Sequence, residues 1–137
     1  MRWISSIPPT DITLYTDGSQ DAAGNTGLGY VGFQRGYKVC EGYQSLGTAA
    51  EVYNVEIIAI EAGIRAAAQR ADTQRATNIY VLLDNQEAAC RALEGTPTDT
   101  SQGSILRIRQ LATLWKRRKR APSIQLGEIM IYWILGH

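Results

Sequence analysis

Asp17, Glu56 and Asp84 are the residues whose types and settings could do chemistry. Asp17 follows a short alternating run in Tyr15-Thr16-Asp17-Gly18-Ser19, and Asp84 follows a buried-looking run in Leu82-Leu83-Asp84-Asn85-Gln86. Glu56 interrupts an apolar helical stripe, because Val52, Tyr53, Ala59 and Ile60 lie three and four positions away. Burying an unpaired carboxylate costs several kcal/mol or raises its pKa until it neutralises. Each acid alone has an ordinary explanation. Asp17 could form a turn, Asp84 could cap a helix beginning near Gln86, and Glu56 could reach solvent or an arginine. Together they describe a site for a hard cation, Mg²⁺ or Mn²⁺, which prefers oxygen ligands. Carboxylates clustered in this way commonly hold two ions about 4 Å apart for phosphodiester hydrolysis, one activating water and one stabilising the leaving oxygen.

The acids can meet only if their elements do. After Pro8-Pro9, residues Ile12 to Thr16 alternate as a strand that Asp17-Gly18-Ser19 is expected to end. Gly27 to Gln34 and Tyr37 to Leu46 read as two further strands joined at Arg35-Gly36, giving an antiparallel meander. Helical periodicity runs from Ala49 to about Arg70, and Asn78 to Leu83 reads as a buried strand. A short helix over Gln86 to Glu94, a long one from Ser104 to Arg120 and a last strand from Ile129 to Ile134 complete the order βββ-α-β-α-α-β. That order predicts an α/β fold with a five-stranded mixed sheet, a meander plus parallel strands, flanked by helices. Thr13, Tyr15 and Asp17 share one strand face, and so do Tyr80, Leu82 and Asp84. Parallel neighbours would bring both acids to the same sheet end, where ligand sites of α/β folds open. Gly27-Leu28-Gly29-Tyr30 is no phosphate-binding loop, because no helix follows it.

At 137 residues, 45% apolar and 20% charged, the chain fits a single globular domain, residues 11–137, after an N-terminal extension of residues 1–10. A net charge of +1 carries no global nucleic-acid signal, so any basic footprint must be local. That footprint is Lys116-Arg117-Arg118-Lys119-Arg120, more cations than a helix C-terminus needs to offset its dipole, and it reads as a phosphate-gripping patch. Trp115 before it reads as core. Cys40 and Cys90 are too few for a disulfide framework and read as reduced packing residues. No apolar run reaches membrane-spanning length and no signal peptide is recognisable, so the default expectation is an intracellular protein of cytoplasm or nucleus.

The Asp17 strand, the helix Ala50-Glu51-Val52-Tyr53-Asn54-Val55-Glu56, the Leu83-Asp84-Asn85-Gln86 turn and the ending Trp133-Ile134-Leu135-Gly136-His137 together resemble type I ribonuclease H. The resemblance spans residues 11–137 and is nearest in look to ribonuclease H domains of fungal non-LTR retrotransposons. It implies the ribonuclease H-like fold and endonucleolytic cleavage of the RNA strand of RNA–DNA hybrids by two Mg²⁺ (or Mn²⁺) ions. It makes Asp17, Glu56 and Asp84 three of four metal-binding acids, and His137 a mobile histidine assisting water activation or product release. It puts Gly18, Ser19, Asn85 and Gln86 at the substrate backbone and the RNA 2′-hydroxyls, and Tyr53 and Asn54, just before Glu56, are read as lining the substrate groove, with helix packing an equal account of Tyr53.

Nothing in this sequence follows His137, and Leu135 stands where the family pattern has proline. The fourth acid and the last helix of the pattern are therefore missing, which implies weakened ion binding and impaired activity. It also implies an apolar surface that a homodimer or a partner chain would cover. A second reading stays open: a non-catalytic ribonuclease H-like module that binds hybrid or double-stranded nucleic acid.

Overall fold

The structure, a computed structural model, describes residues 3–48, 52–84 and 102–134. After a single 3₁₀ turn at Ile4–Ser6, the described elements are β1 (Ile12–Gln20), β2 (Thr26–Gln34), β3 (Tyr37–Gly47), α1 (Val52–Arg70), β4 (Ile79–Leu83), α2 (Gln102–Arg117) and β5 (Ile129–Trp133). The helix expected over Gln86 to Glu94 lies outside the described residues, as do Cys90, Asn85 and His137.

The five strands form one sheet in the order β3-β2-β1-β4-β5. β1, β2 and β3 pair antiparallel, whereas β1–β4 and β4–β5 pair parallel, so the expected mixed sheet is present. The β2–β3 hairpin turns at Arg35-Gly36, both with positive φ (57° and 79°). A two-residue loop with that twist matches the strands it joins, and glycine adopts it without steric cost.

Alternation along β1 sends Ile12, Leu14 and Thr16 into the interior. β4 lies between β1 and β5 and supplies Ile79, Val81 and Leu83 to the same layer. Against them pack Ile57, Ile60 and Ile64 of α1 and Ile105, Ile108 and Trp115 of α2, all buried. Each such aliphatic side chain contributes about 1.5–3 kcal/mol by leaving water. The opposite sheet face carries an aromatic row. Tyr80 stacks on Tyr132 (centroids 6.3 Å apart), Tyr15 meets Phe33 edge-on, and Trp3 from the N-terminal segment lies against Tyr132 at 4.8 Å.

The sheet end away from the acids is closed by satisfied polar groups. Buried Asp11 accepts from the Thr77 N–H (2.8 Å), and the Gln34 amide joins Thr10 and both backbone groups of Asp72. Trp115 is core, as expected, and its indole donates to the Thr77 carbonyl at 3.0 Å.

Among the boundaries that differ from expectation, three are at element ends with an evident cause. β1 does not stop at Asp17 but runs to Gln20, because Gly18-Ser19 stay paired with Leu28 and Gly27 of β2. α2 ends at Arg117 rather than Arg120. There the Arg118 guanidinium folds back to donate to the carbonyls of Trp115, Leu126, Thr73 and Ala76, and it lies 3.8 Å from the Trp115 ring centroid. Orphan carbonyls at a helix end attract such a cation. Finally, β5 ends at Trp133, although the Ile134 N–H still reaches the Leu83 carbonyl at 2.8 Å.

Candidate metal centre

Each acid comes to the site from a different kind of element. Asp17 lies inside β1, paired with Gly29 of β2, but beyond the last β1–β4 partner, Tyr15 with Leu82. β4 no longer pairs with β1 at that level, and the Asp17 side chain is exposed at the sheet end. Asp84 is the first residue past β4 and is exposed too. Glu56 comes down from the first half of α1 and is only 3% exposed. The carboxylates of Asp17, Glu56 and Asp84 offer ligand atoms that all lie within 4.8 Å of one another.

α1 can approach this closely because residue 18 has no side chain. A Cβ on Gly18 would stand 3.0 Å from both the Glu56 amide nitrogen and Val55 Cγ1. The Gly18 N–H donates to Glu56 Oε1 at 3.0 Å, fixing one carboxylate oxygen. The other, Oε2, is buried and has no hydrogen-bond partner among the described residues. Burial raises the Glu56 pKa to about 7, opposed by the Gly18 N–H and reinforced by the negative charges of Asp17 and Asp84.

Asp11 is the buried acid with which Glu56 compares. Both acids are buried, yet Asp11 is held by a backbone donor as a structural carboxylate. Glu56 instead leaves one buried oxygen unsatisfied among the described residues while its carboxylate lies beside two further acids, an arrangement unfavourable for the fold alone. A divalent cation with oxygen preference resolves both the orphan oxygen and the mutual repulsion. The donor set, three carboxylates with no sulfur or imidazole beside them among the described residues, fits Mg²⁺ or Mn²⁺. A depression of about 310 Å³ lined by Tyr15, Thr16, Asp17, Gly29, Tyr30 and Val31 adjoins Asp17.

The other expected site residues fare differently. Gly18 commits its N–H to Glu56, and the Ser19 hydroxyl donates to the Gly27 carbonyl at 3.4 Å. Asn54 lies in the first turn of α1, ahead of Glu56. Asn85, Gln86 and His137 fall outside the described residues. The basic run divides. Arg118 is committed to backbone carbonyls and Arg120 donates to the Ile124 carbonyl, while Lys116, Arg117 and Lys119 extend from the surface, with Lys116 at 3.7 Å from Glu128. Among the bonds that sequence reasoning missed is the Trp133 indole N–H donating to the Asp84 carbonyl at 2.9 Å. The only signal for it was the place of Trp133 in the last motif.

No family model matches the chain, and no curated protein does. Solved structures do. The RNase H1 of the halophilic archaeon Halobacterium salinarum superposes with a TM-score of 0.66 at 21% identity, over 91% of this chain and 86% of that one. The N-terminal RNase H domain of a Mycobacterium tuberculosis protein gives 0.70 at 18% identity, over 92% and 83%. LC11-RNase H1, isolated from compost by a metagenomic approach, gives 0.71 at 16% identity, over 91% and 86%, in a complex with an RNA/DNA hybrid. Sheet order, helix placement and these superpositions agree: the chain has the ribonuclease H-like fold.

Proposed function

We propose that the chain is a metal-dependent ribonuclease that cleaves the RNA strand of RNA–DNA hybrids endonucleolytically, a member of the ribonuclease H type I family. The observation that carries this reading is the convergence of Asp17, Glu56 and Asp84 carboxylates at one end of the sheet, with one buried Glu56 oxygen left unsatisfied among the described residues. The fold it shares with RNase H1 structures, one of them bound to a hybrid, supports the choice of substrate class.

In this proposal Asp17, Glu56 and Asp84 hold two Mg²⁺ or Mn²⁺ ions. Bound ions would supply an activated water and charge stabilisation on the leaving oxygen. The chain's own part is positional. Gly18 aims Glu56, the exposed carboxylates of Asp17 and Asp84 face the incoming phosphate, and deprotonated Glu56 completes the donor set. His137 assists water activation or product release. Asn54, Asn85, Gln86, Gly18 and Ser19 touch the substrate, and the basic run steers the duplex, with Lys116, Arg117 and Lys119 its outward-facing cations. Residues 11–137 form the domain and residues 1–10 its extension. No described helix is long and apolar enough to cross a membrane. A homodimer or partner chain would have exposed apolar side chains to cover, Leu106 and Leu114 on α2 and Leu126 after it.

The test is cleavage of an end-labelled RNA–DNA hybrid with Mg²⁺ and with Mn²⁺, beside Asp84→Asn and Asp17→Asn. Metal-dependent cutting that either substitution abolishes supports the proposal. Hybrid binding without cutting, weakened by neutralising the basic run, would favour the non-catalytic module instead.

A further inference from the structure

The three acids are held in place by three different devices. Asp17 is fixed by the β1–β2 ladder on both sides, Glu56 by its helix and by the Gly18 N–H. Asp84 has neither, since the ladders of β4 end at Leu82 on the β1 side and at Leu83 on the β5 side. Its backbone carbonyl accepts from the Trp133 indole at 2.9 Å, and the Ile134 N–H reaches the Leu83 carbonyl at 2.8 Å. An indole has one polar atom, a donor, and buried or half-buried indoles usually use it. Trp133 is 43% exposed, yet its N–H is turned to the peptide immediately after the acid rather than to solvent.

We propose that Trp133 is a positioning residue for the metal centre, its indole N–H serving in place of a ladder bond to hold Asp84 at the carboxylate cluster. The inference rests on the metal-site reading above and names the side chain that sets its third ligand. An internal control is built into the fold. Trp115 makes the same indole-to-carbonyl bond, 3.0 Å to Thr77, just before β4 begins and therefore at the sheet end away from the acids. Both bonds brace the same strand. Only one braces a proposed ligand.

The experiment is calorimetric titration of Mn²⁺ into wild type, Trp133→Phe, Trp115→Phe and Asp84→Asn, with thermal midpoints recorded alongside. Phenylalanine keeps an aromatic ring and deletes the donor. Losing one hydrogen bond's net contribution at Asp84 should weaken Mn²⁺ binding about two- to tenfold in Trp133→Phe. Trp115→Phe should lower the thermal midpoint and bind Mn²⁺ as wild type does. Hybrid cleavage by Trp133→Phe should show reduced kcat with KM for the hybrid unchanged. Wild-type affinity in Trp133→Phe overturns the proposal, and so does equal weakening in both tryptophan variants, which would mark a general loss of stability. A wild type that binds no Mn²⁺, or an Asp84→Asn variant that binds it equally well, overturns the metal-site reading itself and the positioning role with it.

Discussion

Replacing Glu56 by glutamine should make the metal-free protein more stable, and only at high pH. The pKa of Glu56 rises from 4.5 unfolded to about 7 folded, chiefly through burial. At 1.36 kcal/mol per unit, the ionised side chain costs the fold about 3 kcal/mol. The sign follows from proton counting. Between 4.5 and about 7 the folded protein holds more protons than the unfolded chain, so stability falls as pH rises through that window. Above it the whole penalty is present, and below 4.5 it vanishes. Glutamine retains an oxygen for the Gly18 N–H and carries no charge, so Glu56→Gln removes the penalty with little change of shape. Urea denaturation of both proteins in EDTA, at pH 4.5 and pH 8, should show the variant's advantage growing by up to about 3 kcal/mol. Mn²⁺ at a thousand times its Kd should then invert the order at pH 8, because it adds about 4.1 kcal/mol to wild type alone. An advantage for Glu56→Gln that is the same at both pH values would refute the reasoning, since Glu56 would then not be the group that titrates.

Arg118→Ala should destabilise the fold by about 3 kcal/mol in chemical denaturation, because a cation bonded to several carbonyls and seated on Trp115 is removed. Neutralising Lys116, Arg117 and Lys119 together should leave the denaturation midpoint nearly unchanged. In hybrid-binding titrations it should flatten the salt dependence by about 0.9 in log–log slope for every phosphate that is no longer neutralised. Gly18→Ala should push α1 away from β1, costing about 1–3 kcal/mol by overpacking, and weaken Mn²⁺ binding measured by calorimetry. If Gly18→Ala binds Mn²⁺ as wild type does, the close approach of helix and strand does not set the Glu56 position.

Much of this architecture was readable from local pattern. The Arg35-Gly36 turn, the buried β4 run and the helical stripe around Glu56 each state their structure within a few residues. The three acids were readable as a set because each breaks the pattern around it. What was not readable depended on partners distant in sequence. Gly18-Ser19 looked like a turn, yet cross-strand pairing with Gly27 and Leu28 keeps them extended. The five cations looked alike in a row, and only the carbonyls of Thr73, Ala76 and Leu126 single out Arg118. Asp11 drew no notice because the donor that satisfies it, the Thr77 N–H, is remote in the chain. The indole bond from Trp133 to Asp84 has the same origin, two strand ends side by side in space and far apart in sequence.

The distribution of the three acids over β1, α1 and the end of β4 also has a kinetic consequence. A cluster assembled from a strand, a helix and a second strand cannot exist until all three have docked, so loop closure precedes any ion affinity. Ions added to the folding reaction should therefore leave the folding rate almost untouched and slow unfolding instead, as interactions absent from the transition state do. The centre would then act as a late lock on the chain topology, lengthening the lifetime of the native state more than it hastens its arrival.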